Sequence, residues 1–191
     1  FAGGRGGFSM SGGGADLNYT DDELDSYETI WDGEVTSTKK SDHKRVVTAL
    51  KNISEGNDLE TYMDIDNLLR YMAVHVFSVN EDSLSGMMAH NYYLYEQNGR
   101  LTILPWDYNL AFGTYALGMT DPIRDPDVLI NWPINTPARG ETMLKRPLYH
   151  NLMKNRDYFA RYHACFDQFL TEYQESGRCE AVIRETQALI A

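Results

Sequence analysis

Asn98-Gly99 is the sharpest local instruction in this chain. A two-residue hairpin turn needs positive φ at both central positions, and this dipeptide supplies it readily. Strand-like runs flank it. Asn91 to Glu96 is rich in aromatic residues, and Arg100 to Leu104 carries β-branched Thr102 and Ile103. Pro105 cannot donate to a ladder, so the second strand ends there. Trp106-Asp107 comes next. A carboxylate just past a rigid, largely apolar hairpin is well placed to hold a metal ion or accept a proton. Asp107 is therefore the first candidate functional residue.

The chain has 191 residues, of which 42% are hydrophobic and 12% aromatic, enough for one domain with a real core. Its net charge of −11 disfavours a nucleic-acid partner, because neutralising phosphates takes an excess of Lys and Arg. An acidic surface also suits anionic lipid poorly, and its plainest consequence is solubility. No apolar run reaches the roughly 20 residues of a membrane span. Two cysteines, Cys165 and Cys179, match no zinc-site spacing. On consecutive helices broken near Ser176-Gly177 they fall too far out of line to bridge, so free thiols are expected. The N-terminus has no initiator Met and no charged-then-apolar leader pattern, which suggests a piece of a longer protein.

Residues 1–14 are rich in glycine and read as a flexible loop. A phosphate-cradling loop is the sharper alternative, but no Gly-Lys pair closes it and no strand precedes it. Ala15 to Trp31 is acidic without the ligand alternation of a calcium loop, and its Tyr19, Tyr27, Ile30 and Trp31 are expected to tuck inward. Ser41 or Asp42 caps a helix running to about Ser54, with Val46, Val47, Leu50 and Ile53 on one face. A short turn is expected from Leu59 to Met63. Asp64 or Asp66 then caps a second helix. It is apolar over more than one face and should be central and buried, and its His75 reads as a core residue rather than a ligand. Val79 to Gly86 forms a polar loop leaving this helix, the kind of position where catalytic groups concentrate. Asp82 and Asn80 are its candidates, with a local turn cap as the alternative for Asp82. Thr114 to Arg139 holds four prolines and should be irregular. The last 50 or so residues have the apolar spacing of three helices, and His150 and His163 there read as structural.

The polar residues around the hairpin come in the order Asp82, Asn91, Asp107. Phosphoryl transfer needs such a set. One carboxylate orients the attacking hydroxyl, and a second carboxylate with an amide oxygen holds the metal that bridges nucleotide phosphates. Oxygen ligands suit Mg²⁺ or Mn²⁺. Residues of such common types are a weak signal by themselves.

The segment Ala89 to Gly113, with Asn-Tyr-Tyr-Leu-Tyr and Pro-Trp-Asp, resembles the signature of the CotH family, the spore-coat protein H kinases. Gly-Gly-Gly-Ala-Asp-Leu-Asn-Tyr upstream and the run Asp64 to Val76 fit the same pattern. The resemblance implies an atypical protein kinase that phosphorylates serine on secreted or surface proteins with ATP and Mg²⁺ or Mn²⁺. It implies an extracellular or surface location. It makes Asp82 the catalytic residue, Asp107 the metal-binding one and Asn91 a second metal ligand, nine residues after Asp82 rather than the five of ordinary kinases. The expected fold is α+β, mainly helical, with a small central antiparallel hairpin, like the C-terminal lobe of such a kinase. Residues 1–191 would then be that lobe, with the nucleotide-covering lobe outside this chain. Lys39, Lys40 and Lys44 lie in polar surroundings and none stands out as the nucleotide-binding Lys. Asn109 stands where family members often have a second Asp, a change that would weaken metal affinity. That change motivates the alternative of a non-catalytic surface or coat module that keeps the fold.

Overall fold

The computed structural model describes residues 14–86, 89–114, 126–138 and 144–190. The glycine-rich segment before Gly14 and residues 115–125 of the proline-bearing stretch lie outside them. Within them the chain is a mainly helical α+β fold around one two-stranded antiparallel sheet.

A 3₁₀ turn at Leu24–Tyr27 and a single turn α1 (Glu28–Trp31) open the described chain. Tyr27 is buried, and its hydroxyl donates to Asp21 O at 2.7 Å while accepting from the N–H groups of Thr20 and Asp21. Helix α2 spans Lys40–Glu55 and buries Val46, Val47, Ala49, Leu50 and Ile53. It starts slightly earlier than the sequence suggests. Lys39 is the N-cap residue, and Asp42 acts from the third helical position by accepting the Lys39 N–H at 2.8 Å. Gly56 ends it at φ 75°, the left-handed stop glycine favours. The expected turn after it winds into one helical turn, α3 (Leu59–Tyr62), because Leu59 is buried and anchors it.

Helix α4 (Ile65–Phe77) is the centre of the molecule. Asp64 caps it by accepting the Asn67 N–H at 3.1 Å. Ile65, Leu68, Leu69, Tyr71, Met72, Ala73, His75 and Val76 are all buried, so most of its circumference is core. Truncating Leu69 to Ala would cost about 2–5 kcal/mol, the usual range for a fully buried leucine.

Strands β1 (Tyr92–Gln97) and β2 (Arg100–Pro105) pair antiparallel in the register set by the Asn98-Gly99 turn. Leu101 and Ile103 of β2 face the core. The outer edge of β2 is stitched to the start of α4. The Asp64 N–H donates to Leu101 O at 2.8 Å, and the Asn67 side chain both donates to Ile103 O (3.0 Å) and accepts its N–H (2.8 Å). Met63 adds a parallel bridge to Leu101. Arg45 ties α2 to β1 through Glu96 at 2.7 and 2.8 Å.

The proline-bearing stretch is not wholly irregular. Pro126–Ile130 forms α5, where Pro126 leads the first turn and its missing N–H leaves no bond unmade. Helices α6 (Pro147–Met153) and α7 (Arg156–Phe169) follow, α7 capped by Asn155 and packed against α4 with Phe169 edge-on to Phe77 at 4.8 Å. A π turn (Leu170–Glu175) leads to α8 (Arg178–Ile190). Its apolar spacing makes a helix, yet none of its residues is buried, because it packs against the π turn rather than the core. Cys165 and Cys179 are free thiols, as expected. Among the described residues no helix is long and apolar enough to cross a membrane.

Candidate active site at the base of the hairpin

The site grows from the end of α4. The helix stops at Ser78, and Val79 turns the chain at φ 43°. Asn80 then accepts the Asp82 N–H on its side-chain oxygen at 3.1 Å, an Asx turn that aims the loop back toward the hairpin. The loop closes tightly: a Cβ on Gly86 would lie 1.6 Å from the Glu81 carbonyl oxygen. Buried groups from elsewhere hold it in place. Tyr71 accepts the Leu84 N–H at 3.0 Å, Arg146 donates to Leu84 O at 2.9 Å, and Tyr149 donates to the Ser85 hydroxyl at 3.3 Å. Burial drives the Tyr149 phenol up to about 12 and Tyr71 well above its ordinary value, so both remain neutral O–H groups.

Asp82 and Asn91 meet directly. The Asn91 amide nitrogen donates to the Asp82 carboxylate at 2.8 Å and to its backbone oxygen at 2.9 Å. The Asp82 side chain is only 13% exposed, and His90 Nδ1 stands 3.9 Å from its other carboxylate oxygen. With its nitrogen committed to Asp82, Asn91 has its amide oxygen left for another partner. The backbone then links this pair to the far strand, because Asn91 O accepts the Trp106 N–H at 3.1 Å. Asp107 is the next residue. It is exposed, and among the described residues its carboxylate accepts one long hydrogen bond, 3.4 Å, from the Asn109 N–H. Asp107 therefore stands beside the Asp82–Asn91 pair along the backbone without touching either side chain.

Strain gathers at the same place. Val79, Ala89, Asn91, Asp107 and Phe112 all have positive φ without being glycine. Asn and Asp tolerate that region, but a β-branched Val, an Ala and a Phe do so at about 1–3 kcal/mol each. The loop after Asp107 is also pinned to the end of α4. The Phe112 N–H donates to Ser78 O and the Gly113 N–H to Val79 O at 3.3 Å.

Beneath this loop lies His75. Burial holds its pKa down to about 4, so the ring is neutral near pH 7. Its Nδ1–H donates to Tyr71 O at 2.7 Å, it stacks on Tyr71 at 3.8 Å, and Tyr108 covers it at 5.2 Å. It serves as a core residue, as its position in the sequence suggests.

Among the described residues no group of three or more His, Cys, Asp and Glu side chains is placed to hold a metal. The oxygen donors at the hairpin base are one carboxylate, that of Asp107, and the spare Asn91 amide oxygen. An all-oxygen set of this sort fits a hard cation such as Mg²⁺ or Mn²⁺. Lys39, Lys40 and Lys44 are all exposed on or beside α2.

Sequence reasoning missed the buried clamps Tyr71, Arg146 and Tyr149, which lie 13 to 64 residues from the loop groups they hold. It also missed an exposed aromatic step: Tyr93 stacks on Trp106 at 5.8 Å with their planes 19° apart. The alternation of β1 and the position of Trp106 one residue past β2 could have flagged that pair.

A family model described as CotH kinase protein matches residues 9–191. No curated protein and no solved structure matches the chain.

Proposed function

Because the chain belongs to the CotH kinase family, we propose that it transfers the terminal phosphate of ATP to serine residues of secreted or surface proteins, with a divalent cation. The observation that carries this reading is the direct Asp82–Asn91 contact, with Asp107 tethered beside it through the Trp106–Asn91 backbone bond. Residues 25 positions apart in sequence thus share the base of one hairpin.

Each residue has a role that its surroundings support. Asp82, held in place by the Asn91 amide, orients the serine hydroxyl and accepts its proton as the serine oxygen bonds to the terminal phosphorus of ATP and the bond from that phosphorus to the departing ADP oxygen breaks. Asn91 keeps that carboxylate aimed and offers its amide oxygen to the cation. Asp107 offers an exposed carboxylate to the same cation. A bound cation would be held by Asp107 and Asn91 and would supply positive charge to offset that of the nucleotide phosphates. The Tyr93–Trp106 step, next to Asn91 and Asp107 along the chain, gives a nucleobase a flat aromatic surface. Asn109 meets Asp107 through its backbone N–H, so the cation would rely on Asp107 and Asn91.

The test is phosphate transfer from ATP to a protein serine by the full-length protein, with and without Mn²⁺. Transfer that survives Asp107→Ala would sink the assignment of roles. Calorimetry that detects no ATP binding at millimolar nucleotide with Mn²⁺ would favour a surface or coat module without chemistry.

A further inference from the structure

Among the described residues, one edge of the hairpin is unpaired. In a two-residue hairpin the pair flanking the turn, here Gln97 and Arg100, exchanges both backbone hydrogen bonds. The exchange recurs at Tyr95–Thr102 and Tyr93–Leu104, and the residues between aim their N–H and C=O groups outward. On β2 those outward groups are taken by Asp64 and Asn67. On β1 they belong to Tyr92, Leu94 and Glu96, and among the described residues no hydrogen bond reaches them.

Natural sheets blunt such an edge with Pro, Lys, a bulge or a covering loop. Here Tyr92–Gln97 has neither Pro nor Lys. Tyr92 to Glu96 line a cleft of about 680 Å³ together with Leu104 of β2 and with Trp31, Val35 and Arg45. Six residues of strand offer about 20 Å of edge, the span of one short extended peptide. The cleft also takes in His90 and Asn91, so it is continuous with the candidate site. Its charge selects the occupant. Glu34, Asp42 and Glu96 line it with one guanidinium, Arg45, and two imidazoles, His43 and His90. Arg45 pairs with Asp42 and Glu96 and His43 with Glu34, so with neutral imidazoles two carboxylates remain in excess of the one guanidinium, on a chain of net charge −11.

We propose that the outer edge of β1 captures an extended, basic polypeptide segment as a third strand, and that this segment is the acceptor carrying its serine to Asp82. Main-chain hydrogen bonds to Tyr92, Leu94 and Glu96 hold it, and the acidic cleft selects its charge. The acceptor role rests on the kinase reading, whereas capture at the edge does not.

Fluorescence anisotropy on the whole protein tests this with labelled peptides of about twelve residues, alternating Lys and Val around one central Ser. Binding is expected. Methylating the peptide's backbone nitrogens one at a time should weaken it about tenfold at alternate residues and leave it unchanged at those between. Replacing Lys by Glu should abolish it. The proposal is overturned by no binding, by equal binding of the Glu peptide, by a methylation scan without alternation, or by a dimer of the protein paired through this edge. The two readings fail separately. An alternating scan with no phosphate transfer removes the catalytic reading and keeps the edge. Serine phosphorylation with a flat scan does the reverse.

Discussion

At the tip of the hairpin, Asn98 and Gly99 take φ of 54° and 86°; at its base, Ala89, Asn91 and Asp107 take 49°, 58° and 51°. The backbone visits the same left-handed region at both ends, but for different reasons. At the tip the residues are those the turn demands, and nothing lies within 4 Å of a Cβ placed on Gly99. The conformation there is local and relaxed. At the base, Ala89 has no intrinsic reason to be left-handed. It lies close in sequence to Asn91, which hydrogen-bonds Asp82 and accepts the Trp106 N–H, and to the loop clamped by Tyr71, Arg146 and Tyr149. The contrast separates a turn that shapes the chain from a site that the rest of the chain must force into place.

The largest expected effect breaks the base without touching the tip. Asp82→Asn should lower phosphate transfer about 10²–10⁴-fold, the usual contribution of a positioned base. Its melting temperature should shift little, because the amide can still meet the Asn91 side chain. An equal loss of stability and transfer would make Asp82 a structural anchor instead.

Next in size is the pH dependence of the floor of the site. His75 has a folded pKa of about 4 against an ordinary 6.5. Between those values the unfolded chain binds the extra proton, so stability falls as pH drops from 6.5 toward 4 and is unaffected above 6.5. The full loss from this group would be about 3 kcal/mol. Urea unfolding at pH 7.5 and 4.5 should show it, and His75→Phe should flatten that part of the profile. An unchanged slope in the variant would assign the effect elsewhere.

Two smaller predictions set tip against base directly. Gly99→Ala should destabilise by about 1–2 kcal/mol through backbone conformation alone, since the space is open. Ala89→Gly relieves the same kind of strain. It also loosens the unfolded chain and removes a buried methyl, so its net effect should stay within about 1 kcal/mol of zero. Denaturant midpoints at constant m would measure both. If Ala89→Gly costs as much as Gly99→Ala, the base is not strained.

Much of the fold was legible because it depends on neighbours in sequence. The Asn98-Gly99 turn, the stop at Pro105, the Asp64 cap and the apolar sweep of α4 each rest on residues within a few positions of one another. The errors were also local. Ser41 and Asp42 are the best capping residues near the start of α2, whereas Lys39 is its N-cap and Asp42 acts from inside the helix. Four prolines around Trp132 hid α5, because Pro126 sits in the first turn where proline is tolerated. Helix α8 has the spacing of one apolar face, and spacing alone does not say whether a partner surface exists.

For the candidate site, the order Asp82, Asn91, Asp107 and the family resemblance were available from sequence. The direct contact of Asp82 with Asn91 was not, nor were the clamps on the loop or the Tyr93–Trp106 step. What the sequence by itself determined is the hairpin, its register and the residues offered at its base, since turn chemistry and side-chain period are local properties. What only the tertiary structure decided is that an alanine and a valine would be bent into left-handed turns there, and that one edge of the sheet would be stitched to α4 while the other opens on a cleft. Those outcomes depend on buried hydrogen bonds between residues far apart in the chain, and no local pattern encodes them.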